Sequence, residues 1–75
     1  MARKIRHPRE HDALCAQLLK LRKEYAFTQE DIADALNLSR PQYNALETGR
    51  SMLSFDHLCG LAHCFKIRLT DLVNV

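Results

Sequence analysis

Between Gln29 and Thr48 the chain reads QEDIADALNLSRPQYNALET, an order of polar and apolar residues that allows little besides two short helices joined by a tight turn. Ile32, Ala33 and Leu36 fall on one face of a 3.6-residue helix, and Tyr43 and Leu46 on one face of a second. Thr28 is placed to cap the first helix, with Asp31 three residues on as the reciprocal partner of a capping box. Glu30 and Asp31 also suit the positive end of the helix dipole. That helix should stop near Leu36, leaving Asn37 in the left-handed backbone conformation that glycine accepts most easily and asparagine next. Leu38 then plugs the core between the helices. Ser39 caps the second helix with Gln42 as its box partner, and Pro41 falls in the first turn, where proline is tolerated. Gly49 follows as the residue just past the C-terminus.

Helical patterning continues on both sides. A first helix is expected to start at Pro8 or at an Asp12 cap and to run to about Glu24, with Leu14, Leu18, Leu21 and Tyr25 as one buried stripe. Ala26 and Phe27 make a short connection, with Phe27 packing inward. A loop from Arg50 to Leu53 leads to Ser54, the next cap. Phe55, Leu58, Leu61, Ala62 and Phe65 then form the stripe of a fourth helix. Gly60 inside it would cost up to about 1 kcal/mol against alanine, which points to close packing there. Thr70 and Asp71 begin a last short helix through Leu72 and Val73. No β-alternation, internal repeat or second domain is visible, so the expectation is an all-α single domain of five helices over residues 9–75, preceded by a basic arm at 1–8.

A chain of 75 residues buries only about 60% of its unfolded surface, which leaves one modest core and argues against a large catalytic cleft. No apolar run approaches the roughly 18 residues of a membrane span, and no secretory signal is recognisable, so a cytoplasmic location is expected. The net charge of +2 is unevenly divided: Arg3, Lys4, Arg6 and Arg9 give the first nine residues +4, leaving −2 for the rest. A basic arm of that kind can neutralise phosphates or enter a minor groove; the alternative is a solvated tail. Cys15, Cys59 and Cys64 are odd in number and sit in apolar helical contexts, which reads as reduced, buried thiols.

The run LRKEYAFTQEDIADALNLSRPQYNALETG resembles the phage-repressor-like (Xre/Cro-type) helix-turn-helix proteins, through its Leu-Arg, Thr-Gln, Ile-Ala, Ser-capped turn and Glu-Thr-Gly. With Ser54 to Leu72 resembling that family's last two helices, the similarity spans Leu14 to Val73. It implies a compact, five-helix, lambda-repressor-like fold that binds double-stranded DNA through the major groove, as a transcriptional regulator of repressor type acting as a homodimer on a palindromic operator. It implies further that Gln29 contacts a phosphate or nearby base, and that Arg40, Pro41, Asn44 and Ala45 face the bases with Ser39 and Gln42 beside them. Thr48 and Arg50 would clamp the DNA backbone, and Arg22 and Glu47 would form a buried ion pair. The chain departs from the family at Asn37, where glycine is commoner, and at Pro41 and Ala45, which can offer only apolar contact.

Chemistry supports these roles. An arginine fork meets guanine O6 and N7 together, and an Asn or Gln amide matches adenine N6 and N7. Arg40 is thus expected to read guanine and Gln42 or Asn44 adenine, although Gln42 could instead serve only its capping box. Gln29, Arg50 and Arg6 are candidate phosphate contacts. The cysteine and histidine spacings do not converge as a zinc site needs, and there is no glycine-rich oxyanion or phosphate loop, so neither a metal, a cofactor nor an enzymatic activity is expected. Leu69, Leu72, Val73 and Val75, with Ile67, are apolar for so terminal a segment and form the expected dimer surface; the alternative is that some of them complete the core, with Val75, past the last helix, telling the two apart. Two rival readings remain: an antitoxin or adaptor that holds a toxin-like partner protein, and thiol-based sensing through Cys59 or Cys64.

Overall fold

A computed structural model of the chain describes residues 5–74. These form five helices: α1 (Pro8–Glu24), α2 (Gln29–Ala35), α3 (Arg40–Glu47), α4 (Phe55–Phe65) and α5 (Leu69–Leu72). Arg3, Lys4 and Val75 lie outside the described residues. No helix among those described is long and apolar enough to cross a membrane.

Local chemistry explains the boundaries. Thr28, Ser39 and Ser54 each cap a helix through reciprocal bonds with the residue three positions on, Asp31, Gln42 and His57. At the other ends, α1 and α2 close in the same way. Phe27 N donates to Arg22 O and Ala26 N to Lys23 O, while Leu38 N donates to Ala33 O and Asn37 N to Asp34 O. The pivot of each closure is a left-handed residue, Ala26 at φ 57° and Asn37 at φ 61°; Gly49 at φ 82° follows α3 and Lys66 at φ 57° ends α4. Helix α1 starts at Pro8 and not at Asp12, with His7 as a cap residue whose side chain makes no capping bond.

The core is a single cluster of Leu18, Ile32, Ala33, Tyr43, Leu46, Leu61, Ala62, Phe65 and Leu72. Helix α2 packs on α3 and on α4, and α1 braces α3. Gly60 is where α4 meets Leu36: a Cβ built there would collide with the leucine Cδ2, so the glycine permits the approach. Three sequence expectations need correction. Tyr25 is 43% exposed, because it terminates α1 and lies across Phe65 (ring centroids 5.2 Å apart) at the edge of the core. Phe55 is 70% exposed, since the first residue of α4 projects beyond the end of the core. Helix α5 begins at Leu69, one residue early, and its Leu72 is fully buried.

Candidate nucleic-acid interface

The face of α3 is held by a chain of polar contacts that starts inside the protein. Arg22, in the last turn of α1, meets Glu47 at the end of α3 with Nε donating to Oε2 at 2.8 Å and Nη2 to Oε1 at 3.0 Å. The third arm of the guanidinium, Nη1, donates to Phe27 O at 3.1 Å, so one side chain joins α1, the α1–α2 connection and α3. Gln29, the first residue of α2, donates from Nε2 to Glu47 Oε1 at 3.2 Å and to Asn44 Oδ1 at 2.9 Å. Tyr43 is fully buried, with its hydroxyl against the same carboxylate but outside good hydrogen-bond geometry.

These contacts set the charge states. Burial by itself would raise the Glu47 carboxyl, but the bonds from Arg22 and the neighbouring polar groups outweigh it and hold the group below its ordinary value. Burial, followed by the Glu47 carboxylate, pushes the Tyr43 phenol far above its usual range. The ion pair is therefore fully charged at neutral pH, with the phenol neutral beside it.

Outward from this support stand the expected contact residues. Gln29, Arg40, Pro41 and Asn44 line one shallow groove between the N-terminal ends of α2 and α3. Arg40, Pro41 and Gln42 are exposed, and Asn44 and Ala45 half-buried. Gln42 gives its Oε1 to Ser39 N at 2.8 Å, and Ser39 Oγ accepts from Gln42 N at 3.2 Å, so both residues serve the cap of the helix they begin. Past α3, the Thr48 hydroxyl donates to Asn44 O at 2.7 Å and Arg50 Nε to Thr48 Oγ1 at 3.2 Å, which ties Thr48 and Arg50 to the C-terminal end of the same helix. Arg6 is exposed just before α1.

Other sequence-selected residues separate from this face. Leu72 is enclosed by the core and cannot offer a surface to a second copy, because the last helix must bury one apolar side chain to dock. Leu69 is half-buried and Val73 40% exposed. Of the three thiols, Cys15 is buried and donates to Leu46 O at 3.4 Å, whereas Cys59 and Cys64 are only half-buried. Burial pushes the Cys15 and Cys64 thiols up, which disfavours the reactive thiolate a Cys64 sensor would need. Two relationships escape sequence reasoning: the Gln29–Asn44 bond across 15 positions, and His57 as a capping partner through Nδ1, which accepts from Ser54 N at 3.1 Å.

Comparison with known proteins agrees with the geometry. Residues 18–72 match the model of a helix-turn-helix family. The HTH-type transcriptional regulator DdrOP3 of Deinococcus deserti is 38% identical over 61 residues, covering 81% of this chain and 47% of that protein. The chain thus spans about half the length of this curated relative. No solved structure gives a significant match. By the matched segment, which contains the capped turn between α2 and α3, the chain belongs to the Xre-type helix-turn-helix family.

Proposed function

We propose that this chain is a sequence-specific DNA-binding regulator that inserts α3 into the major groove. The observation that carries this reading is the exposure of Arg40, Pro41 and Gln42 at the start of a helix whose opposite side, Tyr43, Leu46 and Glu47, is buried. A helix anchored that way can meet base edges as a rigid element. Arg40 would read guanine, Pro41 and Ala45 would give apolar contact, and the backbone N–H of Gln29, Arg50 (oriented by Thr48) and Arg6 would hold phosphates from both sides of the helix, with Arg3 and Lys4 extending the basic arm. The related transcriptional regulator supports the same direction.

One α3 covers only a few base pairs, so a homodimer on a palindromic site, with half-sites roughly 34 Å apart, is the simplest route to useful affinity. Leu69, Val73 and Val75 remain the candidate dimer surface once Leu72 is removed from it. Repression would follow from occupying such an operator. Selection from random duplexes followed by footprinting tests the reading: a symmetric site protected over two half-sites supports it, and recovery of no preferred sequence refutes it. The antitoxin or adaptor reading has one observation in its favour, the 70% exposed Phe55 side chain. Sedimentation of the pure chain at tens of micromolar separates dimer from monomer.

A further inference from the structure

The hydrogen-bonding polarity of the α3 surface is decided from within the protein. Glu47, ionised against Arg22, can only accept hydrogen bonds. Gln29 must therefore turn its amide nitrogen towards it, and the same nitrogen faces Asn44. A donor on that side obliges Asn44 to answer with Oδ1. Its NH2 group is left without a partner among the described residues. Gln42 arrives at the same polarity by another route, because a backbone N–H of Ser39 can only be met by its Oε1. Arg40 carries donors alone. Three neighbouring side chains on α3 thus present N–H groups while both amide oxygens are engaged.

This polarity decides what a base edge must offer. In the major groove guanine shows two acceptors, N7 and O6, and thymine the O4 acceptor, where adenine shows its N7 acceptor beside the N6 donor and cytosine the N4 donor. An amide with oxygen and nitrogen both available can bracket adenine. One whose oxygen is held elsewhere can still donate to N7 of either purine, but beside N7 it meets a second acceptor, O6, only on guanine; on adenine its NH2 stands against another NH2. On the strength of the DNA-binding reading above, we propose that α3 is a reader of keto bases: at each base edge that Arg40, Gln42 or Asn44 touches, guanine is chosen over adenine and thymine over cytosine. Gln29 is the positioning residue that fixes this choice at Asn44, and the adenine expectation for Gln42 and Asn44 is replaced.

Parallel selections from random duplexes, using the full chain as wild type, as Asn44→Ala and as Gln29→Met, test the proposal. Methionine keeps the length of glutamine but carries no amide, so Asn44 is free to turn its oxygen outward. In the wild type, the position whose identity ceases to matter in Asn44→Ala should be guanine or thymine, preferred about tenfold over adenine or cytosine. In Gln29→Met, adenine at that position should rise by about tenfold while the Arg40-dependent position stays guanine. Adenine at the Asn44-dependent position in the wild type overturns the proposal, while the enriched site itself would leave the DNA-binding reading standing. Enrichment of no duplex by wild type removes both. Circular dichroism shows whether Gln29→Met stays folded; should it not, the wild-type and Asn44→Ala selections decide alone.

Discussion

Arg22 holds Glu47 through two parallel hydrogen bonds, and the side chains on either side of that contact are 16% and 5% exposed. The pair fastens α3 to α1 from behind, and everything on the outer face of α3 is oriented relative to it. Removing one partner leaves the other charged and enclosed. Glu47→Ala should therefore cost about 3–5 kcal/mol of stability, as should Arg22→Ala. The double replacement Arg22→Met with Glu47→Leu should cost less than either, since no charge is left behind. Urea denaturation of the three variants checks this order.

The same carboxylate makes stability depend on acid. Because the folded Glu47 carboxyl sits below its ordinary value of 4.5, its stabilising contribution is complete above about pH 4.5 and is lost as pH falls through the lower folded value. Asp31 acts in the same sense, its carboxylate being held below 3.8 by the backbone and side-chain bonds with Thr28. The stability these two carboxylates contribute should be complete down to about pH 4.5 and be lost below it, and thermal melts over that range read the loss. In Arg22→Met burial acts on Glu47 without its cation and raises the carboxyl, so acid should cost that variant less than the wild type and protonation of Glu47 should relieve part of its defect.

Helix boundaries and packing were legible where the determinants are local. The Thr28–Asp31 and Ser39–Gln42 boxes and Asn37 in its left-handed turn each depend on residues within one or two turns of sequence. The Arg22–Glu47 pair came through resemblance to other proteins, since nothing in the spacing of 25 positions announces it. What was hidden depends on three-dimensional neighbours. The bond from Gln29 to the Asn44 oxygen joins residues 15 positions apart and carries no mark in the spacing. Leu72 and Phe55 looked equivalent as apolar residues, yet position within a helix sends one inward and the other into solvent. Ala26 and Lys66 carry no sign of their positive φ, because neither residue favours it.

Ala26 is exposed, and its φ of 57° costs an L side chain roughly 1–2 kcal/mol that glycine escapes. Ala26→Gly should raise stability by about 1 kcal/mol, reduced from the full amount by the greater freedom of glycine in the unfolded chain. A higher urea midpoint with an unchanged slope would verify it.

Gly60 should behave in the opposite way. In an isolated helix, alanine would gain up to about 1 kcal/mol over glycine. Here the added methyl collides with Leu36 on α2, and the strain of overpacking, typically about 1–3 kcal/mol, should dominate. Gly60→Ala is expected to lower the melting temperature, and the same substitution made in a Leu36→Ala background should cost less, read as a double-mutant cycle.

Phosphate contacts should be visible in salt dependence. Arg50→Ala and Arg6→Ala should each reduce the slope of log affinity against log salt by about one unit, without changing base preference. Arg40→Ala should do the reverse, relaxing one position per half-site by about 1–3 kcal/mol. Fluorescence anisotropy over a salt series separates the two behaviours.

The most direct measurement is a backbone-amide NMR titration of the whole chain with a duplex recovered by selection. Shifts should concentrate at Gln29, Arg40, Gln42 to Ala45, and Thr48 to Arg50, saturate at one half-site per chain, and be much smaller with a scrambled duplex. Shifts centred on α5 or on the exposed side of α1, or the same small changes with any duplex, would contradict insertion of α3 into the major groove.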